Sequence, residues 1–179
     1  MAGFELVAAL TLASAATMPP NLDDFETRLA SSPSATAVLQ AWCREHFDPD
    51  ATVRAMVIST SSGSPTSSVR NELGIGADDR LGYRRVSLHC SGRELSLAYN
   101  WYVPARLTPA MNALLAETDQ PFGRVAAPLN YARERLKGQR GTADYCPSGT
   151  ILTHRALLRL PDGRPLAMVV ECYTGAILD

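Results

Sequence analysis

Two adjacent arginines, Arg84 and Arg85, open a strand-like stretch in "LGYRRVSLHCSGRELSLAYNWYVP", and a carboxylate, Glu171, interrupts the apolar run "LAMVVECYTG". A guanidinium is planar and makes two parallel charged hydrogen bonds to a carboxylate. One arginine of the pair is therefore suited to hold an organic anion, and the other is solvated or structural. By the two-residue period of a strand, Arg84 shares a face with Val86, Leu88 and Cys90, and Arg85 with Tyr83, Ser87 and His89. Periodicity alone does not choose between them. Glu171 shares its face with Ala167, Val169 and Tyr173. A carboxylate in such company needs a partner or a raised pKa. It is either half of an internal salt bridge or a polar group inside a ligand pocket.

Other chemistry is sparse. No nucleophile elbow, phosphate loop or H-E-x-x-H pattern is present. His46, His89 and His154 lack ligand spacing and read as surface or strand residues. Cys43, Cys90, Cys146 and Cys172 contain no C-x-x-C pair, which argues against zinc. Cys90 and Cys172 sit in apolar strand contexts, and disulfides become available if the chain is exported; the spacing leaves the pairing open. No metal and no cofactor are expected.

The elements that would position these residues come in hairpins with helices between them. Asp23 or Asp24 could cap a helix through "DFETRLAS", and Ser34 one through "SATAVLQAWCREHF". "ATVRAMVIST" reads as a strand ended by the turn-forming tract "SSGSPTSS", and "VRNELGIG" as another short strand. A hairpin follows, with "CSGRE" at its turn. "TPAMNALLAETD" is a helix with Thr108 as cap and Pro109 in its first turn. "RERLKGQRGTADYCPS" reads as an irregular flap, and "ILTHRALLRL", "PDGRP" and "LAMVVECYTG" as a closing hairpin. Such an order predicts an α+β fold, mainly antiparallel, with helices packed on the sheet.

At 179 residues, 46% hydrophobic and 20% charged, the chain reads as one globular domain over residues 21–179. A net charge of −1 provides no global field for nucleic acid or an anionic membrane, so any anion site is local. The apolar segment of residues 1–20 is too short and too broken for a stable membrane span. It reads either as a signal peptide, with "ASA" at a cleavage position, or as an amphipathic helix. The location is correspondingly cytoplasmic or extracytoplasmic, and a monomer is expected.

From Leu81 onward the chain resembles the chorismate pyruvate-lyase family, which makes 4-hydroxybenzoate. The resemblance rests on "YRRVSLHC", Val103-Pro104 before a helix, "PFGR" at Pro121–Arg124 and "LLRLPDGRPLAMVVE", with "SAT" at Ser34–Thr36 matching an early S-x-T element. It implies a chorismate-lyase-like fold with an enclosed pocket. It also implies metal-free elimination of pyruvate from chorismate, a step of ubiquinone biosynthesis. Carried over residue by residue, the arginine that binds the ring carboxylate falls on Arg85. The acid that meets the ring hydroxyl falls on Glu171, and two pocket residues fall on Phe122 and Ala35. Phe122 is larger than the family's leucine. The interval from Pro165 to Glu171 is one residue longer, which on a strand turns a side chain to the other face unless a bulge compensates. The alternative is a non-catalytic domain on the same scaffold, binding a small aromatic or pre-aromatic anion, as in the effector domains of bacterial regulators. A regulator would need a helix-turn-helix, for which the sequence leaves no room.

Overall fold

The computed structural model describes residues 19–61 and 67–179. The signal-like segment and part of the Ser/Gly/Pro tract lie outside these residues. Six strands form one antiparallel sheet in the order β1-β2-β3-β6-β5-β4. They are β1 (Arg54–Ser59), β2 (Gly82–Cys90), β3 (Arg93–Tyr102), β4 (Ala132–Arg140), β5 (Leu152–Arg159) and β6 (Pro165–Tyr173). The expected α+β class is what the chain adopts. The reason is visible in the connections: β2–β3 and β5–β6 are tight hairpins, and β3–β6 closes them into a central four-stranded core. At the first hairpin's turn Ser91 and Gly92 both have positive φ.

One face of the sheet carries α1 (Leu22–Ser31), α2 (Ala35–His46), α4 (Pro109–Glu117) and α5 (Phe122–Ala126). Phe25, Leu29, Leu39 and Trp42 from α1 and α2 pack on Val86, Leu88, Ala98, Leu152 and Tyr173. Trp42 also donates its indole N–H to the Ile177 carbonyl at 3.0 Å. Leu115 from α4 and Phe122 and Val125 from α5 pack on Ala156, Leu158, Ala167 and Val169. The second face carries α3 (Ser67–Leu73) and the segment around Cys146, over Leu97, Tyr99, Trp101, Met168 and Val170.

Three expectations need correction. The "VRNEL" part of "VRNELGIG" belongs to α3 and not to a strand, because Val69 and Leu73, one helical turn apart, are the residues buried on the second face. The first half of the polar stretch, Arg133 to Arg140, lies in strand β4, an edge whose exposed outer residues tolerate charge, while residues 141–148 are irregular as expected. The cap of α1 is Asn21, whose side chain accepts from Asp24 N–H, and not Asp23 or Asp24. Ser34 and Thr108 cap α2 and α4 as read from sequence.

Two disulfides pair all four cysteines: Cys43 of α2 with Cys90 at the end of β2, and Cys146 with Cys172 of β6. They lie on opposite faces of the sheet, each tying a covering layer to a strand. The two edges also differ. β4 presents four exposed charged residues, Glu134, Arg135, Lys137 and Arg140, whereas on β1 Met56, Val57 and Ile58 are 60%, 45% and 49% exposed. Among the described residues no helix is long and apolar enough to cross a membrane.

Candidate anion site beneath α4

Pairing across the sheet decides which residues share a face. Arg85 pairs with Tyr99 and Tyr99 with Val170; Ala98 pairs with Glu171. Arg85 and Glu171 therefore point to opposite faces, and the expectation that both meet one ligand is overturned. The sheet registers its strands so that Arg84, paired with Asn100, lies on the Glu171 face. Arg84 is the buried member of the pair, at 1% exposure. Arg85 is half-buried, with its guanidinium 5.4 Å from the Tyr99 ring. The apolar company of Arg84 in the sequence was the correct signal.

Arg84 is fixed from behind by two backbone carbonyls past the end of α4. Nη1 donates to Gln120 at 3.1 Å and Nη2 to Thr118 at 3.2 Å. Its Nε is buried without a hydrogen-bond partner, and no carboxylate pairs with it among the described residues. Burial lowers its pKa, as expected for a cation removed from water without a counter-ion.

Arg84 lines a cavity of about 540 Å³ between the sheet and α4, together with Thr60, Arg80, Tyr83, Tyr102 and Asn112. None of its lining residues is acidic. Gly82, paired with Tyr102, makes the wall: a Cβ there would overlap the Tyr102 ring. Burial raises the pKa of the Tyr102 phenol, although Arg84 and Arg80 act in the other direction. The hydroxyl thus remains a neutral donor.

The remaining site residues read from sequence are not gathered here. Phe122 is buried behind Tyr102, ring centroids 5.3 Å apart, so it supports the wall without lining the cavity. Ala35 opens α2 and belongs to the core under α1 and α2. Glu171 belongs to a separate buried cluster. Its Oε2 accepts from Arg133 Nη2 at 2.5 Å and from Tyr173 O–H at 3.0 Å. Arg133 also reaches His154 Nδ1 at 3.4 Å. Gly138, opposite His154, leaves room for the imidazole, since a Cβ there would come within 3.2 Å of Nε2. Arg133 and His154 were missed because β4 reads as a polar flap and no spacing links the two residues.

His154 is fully buried and its pKa is lowered, first by burial; Glu171 opposes that shift, while Arg133 and Arg135 reinforce it. The imidazole is neutral in the fold, whereas the unfolded chain protonates near the ordinary value of 6.5. Stability is therefore complete above that pH and declines as pH falls below it, by at most about 1.4 kcal/mol per unit from this group. Urea midpoints at pH 7.5 and 5.5 should show a smaller difference in H154Q than in the wild type.

No family model matches the sequence. Among solved structures, the fold is similar to the effector domain of PhnF from Mycobacterium smegmatis, with TM-score 0.59, 13% identity and coverage of 80% of this chain and 89% of that one. It is similar to YydK from Bacillus subtilis, described as a possible transcriptional regulator, with TM-score 0.54, 16% identity and 74% of this chain covered. The chain spans 63% of the YydK chain's length. A GntR-family transcriptional regulator from Enterococcus faecalis V583 matches with TM-score 0.52 and 14% identity, over 70% of this chain and 96% of that one. At these identities the likeness establishes the scaffold. It also corrects the expected chorismate-lyase membership: the neighbours are regulators and an effector domain, and the lyase activity, with its chorismate, pyruvate, 4-hydroxybenzoate and ubiquinone-pathway implications, falls with that assignment. The sequence is 34% identical over 178 residues to the uncharacterised protein y4mC of Sinorhizobium fredii (strain NBRC 101917 / NGR234), covering 88% of this chain and 75% of that protein. The chain belongs to the same family as y4mC.

Proposed function

We propose that this chain is a non-catalytic binding protein for a small organic anion, an aromatic carboxylate in the first instance. Arg84 carries the reading. A buried cation without a carboxylate partner, opening on an acid-free cavity of about 540 Å³, is costly unless an anion completes it. The volume is in the range of small-molecule sites. The apolar side chains of Leu81, Pro104 and Leu115 and the Tyr102 ring suit a flat hydrocarbon body, while Tyr102 and Asn112 add neutral polar groups. The scaffold's occurrence as an effector domain supports the same reading. The two disulfides support an oxidising, extracytoplasmic setting, since such bonds persist there.

Isothermal titration with benzoate tests this. Binding is expected, and R84Q should weaken it by about tenfold or more, the usual scale for loss of a charged hydrogen-bond donor. Thermal melting of R84Q would establish that it is folded. Equal affinity in the folded variant, or no heat with the wild type, rejects the assignment.

A further inference from the structure

The cavity contains a second cation, and the geometry points to a ligand with two negative charges. Arg80 lines the same wall as Arg84 four residues along the chain, at the approach to β2. Both line the one cavity that the Tyr102 ring also lines. They differ in setting. Arg84 is buried and held by two carbonyls. Arg80 is exposed, forms no ion pair among the described residues, and is free to close on a ligand from the solvent side. With no acid among the lining residues, neither positive charge is neutralised within the cavity.

A monoanion satisfies Arg84 and leaves Arg80 without a partner. A compact dianion satisfies both: one acidic group meets Arg84 at the inner end, and the second meets Arg80 at the mouth. Between them lies the apolar wall of Leu81, Leu115 and the Tyr102 ring. The ligand class is therefore a small ring or chain bearing two acidic groups, or one doubly charged phosphate ester. This selectivity rests on the proposed anion-binding function, with Arg84 as primary anchor and Arg80 as the residue that distinguishes charge number. Because Arg80 is exposed, its contribution is modest and screened by salt.

The test compares benzoate, isophthalate and phenyl phosphate by titration against the wild type and R80Q. At low ionic strength isophthalate is expected to bind about fivefold more tightly than benzoate, the scale of one solvent-facing ion pair. R80Q should abolish that preference, so that isophthalate and benzoate bind this variant equally, and added salt should reduce the preference in the wild type. A preference for phenyl phosphate that also disappears in R80Q would support the proposal and assign both charges to one group. Benzoate binding with no gain for isophthalate or phenyl phosphate overturns the dianion inference and leaves the anion-binding function standing. A preference that survives in R80Q also overturns it. Failure of all three probes to bind the wild type removes the underlying function itself.

Discussion

R133A is expected to destabilise the protein by about 3–5 kcal/mol, the cost of leaving a buried carboxylate without its cation. Arg133 and Glu171 have side chains 3% and 12% exposed, 2.5 Å apart. Removing the guanidinium leaves Glu171 with the Tyr173 hydroxyl and takes the cationic neighbour from His154. The pair is connected to the core through Tyr173, which packs edge-on against Phe25 at 5.1 Å. Replacing both partners, as in R133M/E171L, should recover most of the loss, because two apolar side chains leave no charge to desolvate. Urea denaturation of the wild type, R133A and the double variant measures this directly. A double variant as unstable as R133A would show that the cluster is held by more than its ion pair.

The location of Glu171 also shows what could and could not be read from the residues. The closing hairpin, the helix beginning at Thr108 and the two-residue alternation were legible because apolar periodicity and caps are local signals. The alternation even placed Arg84, not Arg85, among apolar neighbours. The family carry-over put its two ligand residues on Arg85 and Glu171, which the register sets on opposite faces, because one position on a strand is a change of face. That β4 would be a strand was not legible: its charged outer residues are what an edge requires, and an edge strand without apolar alternation resembles a loop. The partner of Glu171 was hidden for the same reason, since Arg133 lies on β4 and 38 residues separate the two. The cavity under α4 depends on Gly82 being set opposite Tyr102, which only registration of β2 on β3 discloses.

Loss of the Cys43–Cys90 disulfide is expected to cost about 4 kcal/mol by the loop-entropy relation for its 47-residue separation. That bond ties α2 to the end of β2, within the core that also holds Trp42 and Val53. In the variant C43A/C90A the apolar character of both sites is kept, so the change reports mainly the cross-link. The Cys146–Cys172 bond closes a shorter separation of 26 residues, and its removal should cost about 3.5 kcal/mol on the same relation. Thermal melts of C43A/C90A and C146A/C172A, beside the wild type with and without reductant, test the ranking. A wild type whose melting point is unmoved by full reduction would reject a stabilising role for either bond.

The unequal edges of the sheet bear on how copies of this chain can add to one another. Growth of a continuous ribbon needs an open strand at both ends of every unit. Here the β4 end displays Glu134, Arg135, Lys137 and Arg140, and an approaching strand would have to strip water from these charges. The β1 end offers apolar Met56, Val57 and Ile58 instead. Edge-to-edge contact through β1 consumes the receptive side of both participants and leaves charged ends facing outward. Any such association terminates at two copies, so the charge on β4 works as a chain stopper against fibrous assembly.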